Sequence, residues 1–471
     1  NCVCNEIVSA SNRVLGATPQ PTRRGLAELK NESKILARQH GHREPWTLEA
    51  VLDSFKGVRR KRYELAYQSL AINPLSPSDG RIQSFVKAEK FDPAAKENPD
   101  PRMIQARSPR YNLVVAKYLR PIEHVIYNLL DDDGDRVVAK GMNQVARAAA
   151  VLKCFSAFRD AVCFSLDCSR WDKHVKRGVL SIEHGFYRAV IGGSPELDKL
   201  LSWQLVNRCR TAGGVKYMVN GGRMSGDINT ALGNCLLMVL MCRAAMRRLG
   251  VYYKLLDDGD DVLVFVEGSN FDRVSGEIAK IFLDYGQELK IENIARKPSD
   301  VLFCQSRIVH NGLDWIMVRD WRKVLSHACC GTKHWNNPAE VRPMMGLIGA
   351  GELALNLGVP ILQEFALALK RCSRGLVAKM TNADTGLVYR LKAEFGDELE
   401  PVLSYQPRVV TAVARAAFTA AFGVSEWEQV AIENILKTWD IDSTESTTVP
   451  TEWMSDWVDR RSLLVHLPEL Y

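Results

Sequence analysis

Three short stretches of this 471-residue chain carry residue types and spacings that suit hard cations and phosphates. The first is VCFSLDCSRWDKHV, Val162 to Val175. Its apolar run, Ala161 to Leu166, reads as a strand that delivers Asp167 at its end, and Asp172 follows five residues later. A strand-end carboxylate suits Mg²⁺, which takes oxygen ligands and is usually held by one or two carboxylates plus substrate phosphates. Taken alone, this pair is more often a turn and a helix cap. The second stretch is VYYKLLDDGDDVLVFVEG, Val251 to Gly268. Two β-rich runs flank Asp258-Gly259, a strong hairpin signal, so the turn presents Asp260 and Asp261 at its tip. Four Asp within five residues repel one another unless a cation neutralises them. The third is GGRMSGDINTALGNCLLMVLMCRAAM, Gly221 to Met246, in which a Gly-rich loop is expected to run into a helix at Ser225–Asp227. Thr230 and Asn234 are four apart and share a helix face. An N-capped core helix is compatible with the same pattern.

These stretches need a scaffold, and the rest of the chain supplies one. Residues 20–72 read as a basic helical segment containing KGVRRKRY, Lys56 to Tyr63, followed by the turn-rich NPLSPSDG. The break FDPAAKENPDPR, Phe91 to Arg102, separates two strand-like pieces, FVKAEK and RMIQAR. Helical periodicity dominates residues 340–436, and STESTTVPT reads as a linker. Residues 20–124 hold 20 Lys and Arg against 12 Asp and Glu, enough to account for the whole net charge of +7. Such asymmetry points to a polyanionic partner. A composition of 46% hydrophobic and 25% charged residues excludes disorder as the main state. The longest apolar run, Cys235 to Cys242, falls far short of the ~20 residues of a bilayer span, so no transmembrane segment is expected. The twelve Cys contain no CxxC pair and read as reduced thiols; His327, Cys329, Cys330 and His334 make a weak zinc pattern, since adjacent cysteines rarely point at one ion. The chain opens at Asn1 without Met or a signal pattern, as a trimmed piece of something longer would.

In chain order, the three stretches resemble motifs A, B and C of viral RNA-dependent RNA polymerases, most nearly the tombusvirus-like (Tombusviridae, carmovirus-like) group. DCSRWDKHV resembles D-x-S-R-F-D-x-H-V, with Trp171 where Phe is usual, and GGRMSGDINTALGN resembles G-x-R-M-S-G-D-x-N-T-x-L-G-N almost throughout. Ser84 to Glu123 is similar to motif F and the segment after it, and the likeness runs from about Arg59 to Lys333. One departure is Asp257-Asp258, where asparagine or another neutral residue commonly precedes Gly-Asp-Asp.

The resemblance implies an α+β right-hand polymerase fold with fingers, a palm of antiparallel sheet plus helices around an RNA-recognition-motif-like core, and a helical thumb. The implied segments are 1–155 (N-terminal part and fingers), 156–174 (palm, motif A), 175–220 (fingers insertion), 221–320 (palm, motifs B to E), 321–440 (thumb) and 441–471 (linker and tail). It implies RNA-directed RNA synthesis that replicates and transcribes a positive-strand genome by two-metal-ion nucleotidyl transfer with primer-independent initiation. Two Mg²⁺ ions, replaceable by Mn²⁺, would sit on Asp167 and Asp260, with Asp261 a weaker third ligand. Asp172, Ser225, Thr230 and Asn234 would recognise the ribose. Lys87, Lys90, Arg102, Arg107 and Arg110 would face the triphosphate and template. Arg59, Arg60, Lys61, Arg62 and Gly226 would contact RNA. Leu283 to Asn293 resembles motif D and offers Lys290, on a helix-to-strand loop, as the general acid for pyrophosphate. Val301 to Val309 resembles the motif E hairpin, though Phe303 and Cys304 also suit a core. Implied partners are template and product RNA, ribonucleoside triphosphates, a viral replication auxiliary protein and host factors. The implied location is the host cytoplasm, on membrane-bound replication complexes reached through another protein or a missing N-terminal part. A reverse transcriptase would share the carboxylates, but Asp172 with Asn234 argues against it. Intact Asp167, Asp260 and Asp261 argue against an RNA-binding factor with a dead site.

Overall fold

Runs of β-branched and aromatic residues between Gly and Asp turns become strands in the computed structural model, which describes residues 2–89, 99–330, 335, 337–383 and 385–440. The strands are β1 (Ile82–Val86), β2 (Met103–Ala106), β3 (Ala161–Cys168), β4 (Val206–Thr211), β5 (Lys216–Asn220), β6 (Tyr253–Asp257), β7 (Val262–Glu267), β8 (Leu289–Ala295), β9 (Ser306–His310) and β10 (Trp315–Arg319). The helices are α1 (Val3–Ser9), α2 (Arg23–His40), α3 (Leu48–Asp53), α4 (Gly57–Ile72), α5 (Pro109–Tyr127), α6 (Gln144–Ser156), α7 (Trp171–His174), α8 (Arg177–Ile191), α9 (Pro195–Leu205), α10 (Thr230–Leu249), α11 (Gly268–Asp284), α12 (Trp321–Ala328), α13 (Pro338–Leu355), α14 (Leu362–Cys372), α15 (Thr385–Phe395), α16 (Ala412–Phe422) and α17 (Glu426–Thr438). Helices and mostly antiparallel sheets make this an α+β fold. The described residues fall into two compact units, one drawn from 1–88, 100–140 and 157–293, the other from 89–99, 141–156 and 294–471.

In the first unit, one sheet has the order β6-β7-β3-β8, with β7 antiparallel to both β6 and β3. Val262 to Val266 are all buried, so β7 reads as a continuous apolar run rather than an alternating one. Helix α10 packs on β6, and α11 on β3 and β7. By length and composition α10 is apolar enough to cross a membrane, but it is a core helix here, buried from Leu232 to Cys242 and stopped by Gly250 in the left-handed conformation. A second sheet has the order β2-β1-β4-β5, in which β1 pairs antiparallel with β2 and parallel with β4.

Three local expectations need correction. Helix α10 begins at Thr230, not at Ser225–Asp227, because the Thr230 hydroxyl donates to the carbonyls of Met224 and Asp227 and holds the preceding residues in turns. The strand expected at FVKAEK is β1, which starts earlier and stops at Val86. Lys290 lies inside β8 and not on a loop.

In the second unit, β9 and β10 form an antiparallel hairpin. Cys304 and Gln305, with φ of 49° and 61°, make a tight turn whose flanks, Phe303 and Ser306, bond each other's backbones. The helical periodicity of 340–436 is realised as α13 to α17, packed on a core that includes Leu347, Phe365 and Phe418.

Candidate active site

Strand pairing brings the carboxylates together. Leu166 on β3 faces Val262 on β7, so the next residues outward, Asp167 and Asp261, are neighbours at the ends of adjacent strands. The hairpin joining β6 to β7 turns through Asp258 to Asp261, closed by the Asp258 N–H donating to the Asp261 carbonyl at 2.8 Å. Asp167, Asp260 and Asp261 are exposed. The thiol of Cys168 is pushed up by burial and then by the charges of both Asp167 and Asp260, which locates the two carboxylates around one point.

The other two aspartates of the turn have separate fates. Asp257 is fully buried, and burial drives its carboxyl well above the usual range, toward the neutral form. Asp258 pairs with Lys140 at 2.5 Å, and Lys140 also donates to the Asp258 carbonyl at 3.1 Å. The chain before Lys140 is bonded to the hairpin as well, with the Asp257 N–H donating to the Val137 carbonyl and the Ala139 N–H to the Asp257 carbonyl. The departure at Asp257-Asp258 is thus accommodated locally: one carboxyl is buried and driven toward its neutral form, and the other is paired with a lysine. Sequence reasoning missed Lys140, which stands more than a hundred residues away from the turn.

Beside the carboxylates lies a buried polar network. Burial pushes the carboxyl of Asp172 up to about 6, against the pull of Arg223, the Asn234 hydrogen bond and Arg102 and with the push of Asp260. Asn234 receives a hydrogen bond on Oδ1 from Arg223 Nε at 3.0 Å, which fixes the amide so that its NH₂ is available to Asp172. Arg223 in turn makes a buried bidentate pair with Glu183, which also accepts from Tyr187 and Asn229. A Cβ on Gly233 would strike both Arg223 and Glu183, so this glycine admits the pair against α10. Glu183 and Arg223 were not foreseen; the Arg and Gly inside GGRMSGDINTALGN were the available signal.

The remaining expected site residues divide. Ser225 does not reach Asp172: its hydroxyl accepts from the Gln105 N–H at 3.2 Å and donates to the Met103 carbonyl at 3.0 Å, tying the loop to the edge of β2. Gly226 N–H donates to the Gln105 carbonyl, and a Cβ there would lie 2.7 Å from that oxygen, so its role is close packing on β2. Thr230, spent on two carbonyls, and Asn234 both line a cavity of about 400 Å³, with Arg59, Lys140, Ser225 and Asp260.

Arg107 and Arg110 do not fit a triphosphate-binding role. Arg107 is buried, bonded to the Gly80 and Trp203 carbonyls and to Asn207, and paired with buried Asp227 at 2.8 Å. Arg110 is consumed by Asp79 at 3.0 Å, Ser69 and the carbonyls of Asn73 and Pro74. Lys87 and Arg102 are exposed, and Arg102 acts on Asp172. Lys90 and His334 lie outside the described residues. In the basic run, Arg59 lines the cavity and stacks over Phe55 at 5.1 Å, Arg60 is tied to Asp53 at 2.9 Å, and Lys61 and Arg62 face solvent. Lys290 is exposed on β8.

Among the described residues, no three His, Cys, Asp or Glu side chains converge closely enough to hold a metal ion by themselves. Exposed oxygen donors on adjacent strand ends nevertheless fit a hard ion whose other ligands are waters and substrate phosphates.

Comparison with known proteins gives the same direction. The family model described as viral RNA dependent RNA polymerase matches residues 5–444. The RNA-directed RNA polymerase of Groundnut rosette virus (strain MC1) is 39% identical over 399 residues, covering 83% of this chain and 46% of the relative. That of Turnip crinkle virus is 35% identical over 436 residues, covering 90% and 55%, and that of Cucumber necrosis virus 34% over 437 residues, covering 92% and 52%. The chain spans about half the length of the curated relatives it matches.

Proposed function

The chain belongs to the viral RNA-dependent RNA polymerase family, of the tombusvirus and carmovirus group, and from that membership we propose that it performs RNA-directed RNA synthesis on a positive-strand viral genome, with primer-independent initiation. The observation that carries the reading is the meeting of Asp167, at the end of β3, with the exposed Asp260 and Asp261 of the β6–β7 turn. In this reading the β6-β7-β3-β8 sheet is the palm, the β2-β1-β4-β5 sheet with the N-terminal helices belongs to the fingers, and α12 to α17 form the thumb.

Asp167, Asp260 and Asp261 would hold two Mg²⁺ ions, or Mn²⁺ in their place. Bound there, the ions would activate the 3′-hydroxyl and neutralise the triphosphate and leaving group. The protein's own side chains do the rest. Asp172 accepts from the Asn234 amide, and this pair is the recognition element for the ribose 2′-hydroxyl; a site built to bond a hydroxyl rejects the sugar lacking it, because buried polar groups are then left unpaired. Lys87 and Arg102 offer positive charge to the triphosphate, and Lys290 is the proton donor to pyrophosphate. Template and product RNA and ribonucleoside triphosphates are the substrates. A viral auxiliary protein and host factors would bring the enzyme to membrane-bound replication complexes in the host cytoplasm.

The test is RNA synthesis by the purified chain on a short template, with and without primer, in Mg²⁺ and in Mn²⁺. Asp260→Asn and Asp167→Asn should each bring turnover below a tenth of the parent's while RNA binding persists, since each removes a metal ligand and no phosphate contact. Turnover above that level in Mg²⁺ by either variant overturns the assignment.

A further inference from the structure

Side chains alternate between the faces of a strand, and cross-strand partners share a face. In the β2-β1-β4-β5 sheet, Arg210 is partnered with both Lys216 and Gln83, Arg208 with Met218, and Phe85 with Ile104. Gln83, Phe85, Arg208, Arg210, Lys216 and Met218 therefore stand on one side, while Ser84, Gln105, Asn207, Cys209 and Thr211 occupy the other and are buried. The first side is open, with Phe85 47% and Met218 63% exposed and all three cations exposed. The four strands contain no Asp or Glu. Arg210 opposite Lys216 places like charges in direct apposition, which costs stability. Among the described residues, no carboxylate pairs with Arg208, Arg210 or Lys216.

The face also continues toward the site. The Lys87 N–H donates to the Arg102 carbonyl, extending the β1–β2 ladder by one residue beyond Val86 and Met103. Alternation puts Lys87 and Arg102 on the side of Phe85, and Arg102, like Arg223, acts on Asp172. A stripe of positive charge thus starts beside the ribose network and crosses the sheet to β5, a width of about 14 Å at the usual strand spacing.

We propose that this open face binds a single-stranded RNA segment outside the reaction centre, with Arg208, Arg210 and Lys216 on its phosphates and Phe85 and Met218 against its bases. Charge complementarity selects a polyanion, and exposed apolar side chains between the cations select one that carries bases along its length. The proposal rests on the polymerase reading for the presence of RNA.

The test is equilibrium binding of an unstructured single-stranded RNA oligonucleotide to the full chain across a salt series, without synthesis. Replacing Arg208, Arg210 and Lys216 together by Gln should reduce the slope of log affinity against log salt by about 2, at about 0.7 per phosphate contact. Phe85→Ala with Met218→Ala should weaken binding about fivefold or more and leave the slope alone. All five side chains are exposed, so unchanged thermal unfolding checks that the fold survives. An unchanged slope in the triple variant overturns the proposal. So does weaker equilibrium binding of a nucleoside triphosphate with RNA binding unaltered, which would make the face a nucleotide entry path. Because binding is read without turnover, failure here leaves the polymerase assignment standing, and failure of the Asp260→Asn test leaves this one standing.

Discussion

Two five-residue stretches of this chain each carry four aspartates and a glycine, Asp131 to Asp135 and Asp257 to Asp261. Their compositions match and their surroundings do not. In the first, the ammonium of Lys254 sits among Asp131, Asp133 and Asp135 at 2.9, 2.6 and 2.9 Å, with 3% of its side chain exposed. Burial alone would lower the pKa of Lys254, but the three carboxylates outweigh it and raise it. In the second stretch, Lys140 pairs with Asp258, and Asp260 and Asp261 stay exposed. The lysines are exchanged: Lys254 comes from the strand entering the hairpin, and Lys140 from the chain leaving the acidic loop. An acidic cluster that contains its own cation is a clasp; one that keeps two carboxylates in solvent retains the capacity to take an ion from outside.

The comparison breaks most sharply in activity. Asp260→Asn should abolish synthesis, whereas Asp133→Asn, at a half-exposed carboxylate, should cost at most about 1 kcal/mol of stability and leave turnover near the parent level. Equal losses of turnover in the two variants would erase the distinction. Lys254→Met should instead act on stability, by about 3 kcal/mol in denaturant unfolding, because it leaves three carboxylates without their cation. Millimolar Ca²⁺ should restore part of that loss, as clustered aspartate oxygens suit this ion. No recovery would show that the loop geometry collapses without the lysine.

Next in size is sugar selection. Asp172→Ala or Asn234→Ala should lower the preference for ribonucleotides at least about tenfold, the worth of a hydrogen bond to a charged group. With a carboxyl pushed up to about 6, Asp172 is ionised near pH 7 and gains a proton as pH falls through that value. The same preference should therefore decline on acidification from about pH 7 to about pH 5, and not in Asp172→Ala. The folded state holds this proton more tightly than an ordinary carboxyl would, so this group's contribution to stability falls as pH rises from about 4 to about 6. A flat selectivity profile would remove Asp172 from sugar recognition. The smallest effect is expected from Lys140→Met, a severalfold shift in the Mg²⁺ concentration for half-maximal synthesis, reversed by adding Asp258→Asn. If the double variant stays as impaired as the single one, Lys140 acts on substrate and not on the turn.

Much of the site was legible because its signals are local. A strand run ending at Asp167 and a hairpin dipeptide before Asp260 are determined by a few neighbouring residues. The misreadings came from charge without direction. Arg102 and Arg107 lie five apart, so in an extended strand they point to opposite faces, one to solvent and one into the interior beside Asp227. That alternation was available in RMIQAR. Glu183, Lys140 and Lys254 were not available, since each acts on a partner far along the chain and no local pattern marks a long-range ion pair.

The parallel pairing of β1 with β4 joins Ile82 to Cys209 well over a hundred residues later, and the whole of β3 is made in between. Closing so long a loop is entropically slow, and it leaves β1 and β2 as an unfinished edge throughout the interval. On a ribosome, the N-terminal hairpin emerges long before the strands that complete its sheet, and until they arrive its open backbone is a template for pairing with other chains. Ser225 and Gly226 then seal the far edge of β2, so the last step of protecting this sheet from aggregation is also the step that seats the loop beside Asn234.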